Sequence, residues 1–361
     1  MQAVKVFPAH ERVELGDVEP PSLAADDDVL LRVLEVGACG TDREICAFNY
    51  GTPPVESDYL VLGHECLAEV VEVGPGVSRV AVGDLVVPMV RRPCAHPDCL
   101  PCRDRRQDFC VTGDFVERGI KQAHGFMTEL VVDSERYLNV VPAALRDIGV
   151  LAEPLTIAEK ARAQVYDVQD RLPWGDGPHR AVVLGAGPVG LLGTMMLVNA
   201  GYDTTVYSLL PKPNPGAAMA EALGCDYVSS REVTPAELGR GIGRIDLVYE
   251  GAGASGIAFE LLAELGANGI FMFTGVPGHK APTPVDTDLL MRNIVLGNQI
   301  LVGTVNAGRE HYEAAIGDLA AFDARWPDQV RALITGRYPL SEHRKLLFGK
   351  AGGIKNVFAL A

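Results

Sequence analysis

Three groups of residues in the sequence could do chemistry at a metal ion or at a nucleotide. They are Cys39-Gly-Thr41-Asp42 with Gly63-His64-Glu65, the four cysteines Cys94, Cys99, Cys102 and Cys110, and the turn Gly185-Ala186-Gly187-Pro188-Val189-Gly190. Thiolates, imidazoles and carboxylates are the ligands that zinc prefers, and glycine-rich turns that open a helix bind phosphates. Together the groups indicate a zinc-dependent reaction that uses a dinucleotide.

The four cysteines are separated by four, two and seven residues, within a segment that also contains three prolines. Four thiolates at such spacing fill a tetrahedral zinc site and leave no open position, so this zinc would be structural. His96 lies inside the loop and is an alternative ligand in place of Cys94. The other interpretation is four unpaired thiols in one surface loop.

The remaining set predicts a catalytic zinc. Cys39 and His64 supply a thiolate and an imidazole, and Glu65 and Glu153 are the available carboxylates, which leaves positions for water and substrate. Asp42 is suited to accept a hydrogen bond from the ring of His64. Zinc lowers the pKa of a coordinated hydroxyl, and Thr41 can relay the released proton. Taken alone, each piece also fits a buried thiol or an ordinary polar pair.

The glycine-rich turn follows a predicted strand, 180–184, and precedes a predicted helix, 191–200. In this context the glycines allow the backbone to approach a pyrophosphate at the helix N-terminus. The next strand ends in Ser208-Leu209-Leu210-Pro211-Lys212, with no acid for a ribose 2′-hydroxyl and one lysine. This pattern favours NADP, or use of both NADP and NAD.

The predicted elements place these groups in two kinds of architecture. The first ~150 residues are rich in short β-branched runs ended by glycines, typical of a mostly-β body. After Pro154, β and α segments alternate, which predicts a doubly wound parallel sheet and an α/β fold class overall. The predicted segments of this second part are a helix at 155–166, a turn-rich connector at 171–179, strands at 204–208, 225–228, 245–250, 269–275 and 301–306, and helices at 217–223 and 309–321. Residues 356–360 are predicted to return to the first part as a strand.

Length and charge exclude several classes of function. A chain of 361 residues corresponds to about two domains, by the usual ~100–200 residues for each. The net charge of −15 disfavours nucleic acid and anionic membranes as partners. We expect no signal peptide and no membrane span, hence a cytoplasmic protein whose eight cysteines are thiols or thiolates.

The order of these motifs resembles the zinc-containing medium-chain alcohol/polyol dehydrogenase superfamily over nearly the whole chain. Within it, several stretches look like the archaeal-type glucose 1-dehydrogenase branch. These are residues 87–92, 115–120, 123–129, 153–154 and 302–306. The resemblance implies a GroES-like catalytic domain, 1–178 with 307–361, and a Rossmann domain, 179–306.

The resemblance also implies roles for individual residues. The catalytic zinc would be bound by Cys39, His64, Glu65 and Glu153, with Glu153 either a direct ligand or a partner through water. The substrate hydroxyls would be held by Thr41, Glu117, Glu153 and Asn306. The cofactor would lie along Gly185, Ala186, Gly187, Pro188, Val189, Gly190, Leu210, Pro211, Lys212, Thr274, Gly275, Val276, Thr304, Val305 and Asn306. A salt bridge between Glu117 and Arg118 is the structural alternative for Glu117.

The predicted reaction is oxidation of the C1 hydroxyl of an aldose, D-glucose first, to its lactone with NADP or NAD. Two carboxylates and an amide suit a substrate with several adjacent hydroxyls. The alternatives are a polyol, cyclitol or secondary-alcohol dehydrogenase, and a non-catalytic nucleotide-binding member of the superfamily. The resemblance further implies a homodimer or homotetramer.

Overall fold

The computed structural model describes residues 1–174, 179–278, 282–349 and 352–360. Contacts divide the chain into a first unit, 1–156 with 306–361, and a second unit, 157–305. The proposed domain bounds of 1–178 with 307–361 and 179–306 remain a prediction. Residues 175–178 of the predicted connector lie outside the described residues.

The described residues contain nineteen strands and eleven α-helices. The strands are β1 Gln2–Phe7, β2 Arg12–Asp17, β3 Asp28–Gly37, β4 Leu60–Val61, β5 Glu65–Val73, β6 Leu85–Pro88, β7 Arg91–Arg92, β8 Val116–Arg118, β9 Gln122–Ala123, β10 Leu130–Ser134, β11 Leu138–Val141, β12 Arg180–Leu184, β13 Asp203–Ser208, β14 Asp226–Ser229, β15 Ile245–Glu250, β16 Leu265–Phe273, β17 Ile300–Gly303, β18 Ile334–Tyr338 and β19 Lys355–Ala359. The helices are α1 Gly40–Cys46, α2 Leu100–Arg103, α3 Ala152–Gln169, α4 Pro188–Asn199, α5 Pro215–Ala222, α6 Pro235–Ile242, α7 Ser255–Leu262, α8 Thr287–Leu296, α9 Arg309–Arg325, α10 Pro327–Ala332 and α11 His343–Leu347.

The first unit is mostly β, as predicted. Its largest sheet has the strand order β11-β6-β5-β3-β19-β18, with β10 paired to β3. Two three-stranded sheets, β2-β1-β4 and β7-β8-β9, complete the unit. Buried apolar side chains from β1, β3, β5 and β19 form one core. The predicted return of the chain end as a strand is confirmed, because β19 pairs antiparallel with β3.

The second unit is the predicted doubly wound parallel sheet. Its strand order is β14-β13-β12-β15-β16-β17, and every neighbouring pair is parallel. The sequence of β12 is an uninterrupted apolar run after its first residue, typical of a strand covered on both faces. The strand order reverses between β12 and β15, the point at which doubly wound sheets bind ligands at the carboxyl ends of their strands.

Several element ends differ from the predicted ones. Helix α3 begins at Ala152 and ends at Gln169 rather than spanning 155–166, and α4 begins at Pro188 rather than Leu191. Proline is tolerated in the first turn of a helix, where its missing N–H has no partner to lose. The last strand of the second unit, β17, ends at Gly303 rather than Asn306. Thr304 continues the pairing only through its N–H, which donates to Phe273.

No helix among the described residues is both long and apolar enough to span a membrane.

Candidate functional site

The four-cysteine segment forms one compact cluster. The sulfur atoms of Cys94, Cys99, Cys102 and Cys110 all lie within 4.8 Å of one another. The hydrogen bonds that Cys99 accepts from backbone N–H groups lower the pKa of its thiol. Burial alone would raise the pKa of Cys110, but hydrogen bonds from Thr112 and nearby groups lower it to about 6. Burial raises the pKa of Cys102. A divalent cation would compensate the thiolate charge, so the set fits a closed zinc site.

His96 is not a member of this cluster. Its ring is exposed and lies 2.5 Å from the carboxylate of Asp114. The sulfur of Cys94 is the fourth member of the cluster. The alternative ligand considered from the sequence therefore does not match the geometry.

A second cluster joins Cys39, His64 and Glu65. One ligand atom from each of the three lies within 4.8 Å of the other two. Cys39 precedes α1 at the end of the β3 segment, and His64 and Glu65 stand at the start of β5, beside it in the sheet. The imidazole and carboxylate are buried, while Cys39 is partly exposed. Three ligands with one side open match a zinc site that admits a substrate.

Asp42 links the two ligand-bearing segments of this cluster. Its Oδ2 accepts a hydrogen bond from the Cys39 N–H at 2.9 Å, and its Oδ1 lies 3.4 Å from Nδ1 of His64. The second contact is an ion-pair distance and not a well-formed hydrogen bond. Burial lowers the pKa of His64, but the Asp42 carboxylate and Cys39 raise it by more than burial lowers it. The pKa of His64 therefore lies well above its ordinary value. The same negative charges favour a bound cation.

Lys355 is a functional neighbour that the sequence analysis missed. Its ammonium forms a buried ion pair with Oε2 of Glu65 and donates to the Ala38 carbonyl at 3.1 Å. Burial lowers the pKa of Lys355, but Glu65 and Cys39 more than offset this and raise it. A Cβ at Gly37 would lie 1.9 Å from Oε2 of Glu65, so any larger residue at this position would displace the ion pair. No local signal marks Lys355, since β19 reaches the site only through the sheet.

Glu153 and Thr41 lie at the edge of the same set. Burial raises the pKa of Glu153 to about 7; the charge of His64 lowers it and that of Glu65 raises it, both by less than burial does. The carboxylate of Glu153 is not within 4.8 Å of all three members of the cluster, so Glu65 is the carboxylate that the geometry groups with Cys39 and His64. Thr41 lies in the first turn of α1 and is half-buried.

The structure brings together the two distant residues Glu117 and Asn306. The Nδ2 of Asn306 donates to Oε1 of Glu117 at 3.0 Å. Glu117 does not pair with its neighbour Arg118, which instead lies 3.7 Å from Asp133. Successive residues of a strand point to opposite faces, so Glu117 and Arg118 cannot share one contact. The partner of Glu117 is Arg91, directly opposite it across the β7–β8 pair.

In the second unit, the glycine-rich turn connects β12 to α4 as predicted. Gly185 has a φ of +111°, and a Cβ at Gly190 would lie 2.1 Å from the Gly185 carbonyl oxygen. The turn therefore closes tightly only with glycine at these two positions. A Cβ at Gly187 would meet no atom within 4 Å, which leaves the mouth of the turn open for a phosphate.

Two further loops at the carboxyl edge of this sheet carry predicted cofactor residues. Glu250 fixes the first, accepting hydrogen bonds from the Gly275 N–H at its side chain and from Thr274 Oγ1 at its carbonyl. The predicted cofactor residues Leu210, Val276 and Val305 are exposed apolar side chains. Thr304 Oγ1 is buried without a hydrogen bond within the described part of the chain. Exposed apolar groups and an unsatisfied hydroxyl fit a surface that a bound group covers.

The single cation after β13 is already paired. The ammonium of Lys212 contacts the carboxylate of Glu221, and both side chains are half exposed. An exposed pair of this kind contributes little and can exchange for another anion. The loop thus keeps the potential to accept a phosphate without presenting a free charge for it.

Two known protein families match the chain in sequence. Residues 25–143 match the alcohol dehydrogenase GroES-like domain, and residues 146–360 match the glucose dehydrogenase C-terminus. These matched segments cover nearly the whole of both units.

Curated proteins and solved structures are similar to this chain over nearly its full length. The glucose 1-dehydrogenase of Methanocella arvoryzae is 36% identical over 356 residues, which cover 98% of each chain. That of Thermoproteus tenax is 41% identical over 350 residues, which cover 96% of this chain and 95% of the relative. The structure of Haloferax mediterranei glucose dehydrogenase in complex with NADP, Zn and gluconolactone has a TM-score of 0.90 at 33% identity, covering 100% of this chain and 99% of that one.

Proposed function

The chain belongs to the glucose 1-dehydrogenase family of zinc-containing medium-chain dehydrogenases, and from that premise we propose that it oxidises the C1 hydroxyl of an aldose, D-glucose first, to the lactone. The balanced reaction is aldose plus NAD(P)+ to lactone, NAD(P)H and a proton. The observation that carries the proposal is the partly open Cys39–His64–Glu65 cluster in a chain similar over its full length to glucose 1-dehydrogenases.

Cys39, His64 and Glu65 would hold the catalytic zinc, with Glu153 as a further ligand or a partner through water. When bound, zinc lowers the pKa of a coordinated hydroxyl and so makes oxidation at the adjacent carbon accessible near neutral pH. Asp42 keeps the Cys39 backbone and the His64 ring in place, and Lys355 balances the charge of Glu65. Cys94, Cys99, Cys102 and Cys110 would hold the structural zinc.

The proton of the C1 hydroxyl leaves through this chain's own polar groups. Thr41 Oγ1 is the proposed first acceptor, because it is half-buried beside Cys39 at the start of α1. Glu153, with its pKa raised to about 7 by burial, can hold or release a proton near neutral pH. The sugar hydroxyls are proposed to form hydrogen bonds with Thr41, Glu117, Glu153 and Asn306.

NADP or NAD is the proposed hydride acceptor. The turn Gly185–Gly190, the loop 210–212, Thr274-Gly275-Val276 and the stretch 304–306 are proposed to bind it. Because Lys212 is paired with Glu221 and no acid follows β13, we expect both cofactors to be used, with a preference for NADP.

We propose a homodimer formed through the β17 edge, with a homotetramer as the alternative. Among the described residues β17 pairs only with β16, and unpaired edges are natural sites of association. Large exposed apolar side chains accompany this edge and α8 in the sequence, namely Val285, Leu289, Met291, Val295, Leu296 and Leu301. Light scattering of the wild type and of Leu301→Lys measures the oligomeric state. A monomeric wild type refutes the proposed association through the β17 edge.

A cytoplasmic location is also part of the proposal. All eight cysteines are free in the structure, and metal-binding thiolates persist in a reducing compartment.

The experiment that tests the function is a substrate panel with NADP and NAD side by side. We expect strong oxidation of D-glucose or a close aldose and weak oxidation of open-chain polyols and cyclitols. Strong cyclitol oxidation without aldose activity refutes the aldose assignment. Product analysis by NMR should show the lactone or its hydrolysed acid.

A further inference from the structure

The carboxylate of Glu117 is held by an asymmetric set of donors. Arg91 donates to Oε1 through Nε at 3.0 Å and lies 2.9 Å from the same oxygen through Nη2. Asn306 Nδ2 donates to Oε1 as well, at 3.0 Å. No hydrogen bond within the described part of the chain ends on Oε2, and Oε2 is not among the fully buried unpartnered atoms. Oε2 is therefore the oxygen left open to a ligand.

Arg91 is itself fixed on several sides. Its side chain is 7% exposed, its Nη1 donates to the Asp108 carbonyl at 3.3 Å, and its guanidinium stacks 3.6 Å from the ring centre of Phe115. The antiparallel pairing of β7 with β8 places it directly opposite Glu117. A planar guanidinium held in this way can orient a carboxylate, whereas a lysine would act as a point charge.

Asn306 is oriented by the same arrangement. Its backbone is in the left-handed region, with a φ of +60°, and its Oδ1 accepts from the N–H of Ala307 at 2.9 Å. One Nδ2 hydrogen is used by Glu117, so the second remains for a ligand. The pair thus offers one acceptor, Glu117 Oε2, beside one donor, Asn306 Nδ2.

We propose that Arg91 is a positioning residue for sugar recognition: it fixes Glu117 so that Oε2 alone accepts a hydrogen bond from one substrate hydroxyl. The inference rests on the proposed aldose oxidation. A site with a single preset acceptor penalises the loss of the matching hydroxyl, because Oε2 would then lose its partner. Without Arg91 the carboxylate can rotate, and that penalty shrinks.

The test compares kcat/KM for D-glucose with kcat/KM for each monodeoxyglucose that keeps the C1 hydroxyl. For wild type we expect a penalty of about tenfold or more at the deoxy position whose hydroxyl Glu117 would bind, which Glu117→Ala identifies. In Arg91→Met and in Glu117→Ala, the penalty at that same position should fall to about threefold or less. Arg91→Lys keeps the positive charge and should retain part of the wild-type penalty at that deoxy position. KM for NADP should stay within about twofold of the wild-type value.

Arg92→Lys is the matched control, since Arg92 is the next residue of β7 and pairs with Asp133 at 2.5 Å instead. It should keep the full wild-type penalty. An Arg91 variant that lowers kcat/KM equally for all sugars, with the penalty intact, overturns the inference and assigns Arg91 a structural role only. If Arg91→Met does not fold, Arg91→Lys decides by the same ratio. A wild type without aldose activity overturns the proposed function and this inference together.

Discussion

The two metal-type clusters of the first unit are built in opposite ways. The four-cysteine cluster comes from one short segment, 94–110, and has four thiol ligands. The Cys39–His64–Glu65 cluster is assembled from the end of β3, the start of β5 and, through Lys355, the C-terminal strand β19. One is a local site, and the other depends on the pairing of β3 with β5 and with β19.

The surroundings of the clusters differ in the same sense. The cysteines are supported mainly by nearby backbone N–H groups and Thr112. The mixed cluster is supported by charged side chains, Asp42 on one side and Lys355 on the other. Buried charges are expensive unless paired, so a set of this kind is kept where chemistry requires it. On the proposed function, the four-cysteine cluster would stabilise the fold and the Cys39–His64–Glu65 cluster would support turnover.

The largest expected effect is on turnover at the mixed cluster. Cys39→Ser replaces the thiolate with a much weaker zinc ligand, and kcat/KM for the best aldose should fall by about a thousandfold or more. Cofactor binding, measured by fluorescence quenching, should not change. Cys46→Ala, at a buried cysteine of the same helix, is the control and should stay active. Substantial activity in Cys39→Ser contradicts the assigned mechanism.

Breaking the four-cysteine cluster should reduce stability. We expect Cys102→Ser to lower the free energy of unfolding by about 5 kcal/mol, part of the roughly 10–16 kcal/mol that structural zinc supplies to small domains. Urea unfolding of the two proteins measures the difference. An unchanged midpoint would show that the four thiols hold no structural metal.

The buried Glu65–Lys355 ion pair distinguishes the mixed cluster from the four-cysteine cluster. In protein from which the zinc of this cluster has been removed, Lys355→Met leaves the buried Glu65 carboxylate without its partner, and the free energy of unfolding should fall by about 3–4 kcal/mol. The double variant Glu65→Gln/Lys355→Met should recover part of that loss, because neither charge remains. If the loss in the double variant equals the sum of the losses in Glu65→Gln and Lys355→Met, the pair is not coupled.

The smallest effect concerns His124, which supports the strand leading to His64. Its Nδ1 accepts the Val61 N–H at 3.1 Å and its ring stacks on Tyr59. Burial and then Arg118 lower the pKa of His124 below its ordinary value of 6.5. The neutral ring is thus favoured in the folded state, and its contribution to stability is full above pH 6.5 and is lost as the pH falls below it.

His124→Phe keeps the ring stack and removes both the hydrogen bond and the titration. Wild type should be more stable than this variant by about 1 kcal/mol at pH 7.5, and the difference should shrink as the pH falls below 6.5 and through the lowered pKa of His124. Denaturant unfolding at several pH values measures it. A difference that does not vary with pH rules out His124 as the titrating group.

The contrast between local and dispersed sites also explains what the sequence could predict. The cysteine spacing and the glycine-rich turn are contiguous patterns, so the sequence predicts the strands and helices around them. The alternating β and α segments likewise predict the parallel sheet. Cys39 and His64 could be grouped only through the resemblance and the order of motifs. The position of Glu65 beside Cys39 and His64 depends on the register of β5 against β3, which no local pattern reports.

The sequence did not single out Lys355 or Arg91 as residues that support the site. Each acts through strand pairing, Lys355 through β19 against β3 and Arg91 through β7 against β8. The alternative pairing of Glu117 with Arg118 was wrong for the same reason, because neighbours on a strand face opposite ways. A signal existed only for Arg91, in a buried-type arginine within a stretch that resembles the family.

The most direct test of the account is the zinc content of the purified chain, measured by atomic emission together with turnover. We predict about two zinc ions per chain in wild type. Cys39→Ser should retain about one ion and no turnover, and that ion should remain during dialysis against a mild chelator. A wild type with one ion, or a Cys39→Ser variant that keeps two, contradicts the division into a closed structural site and an open catalytic one.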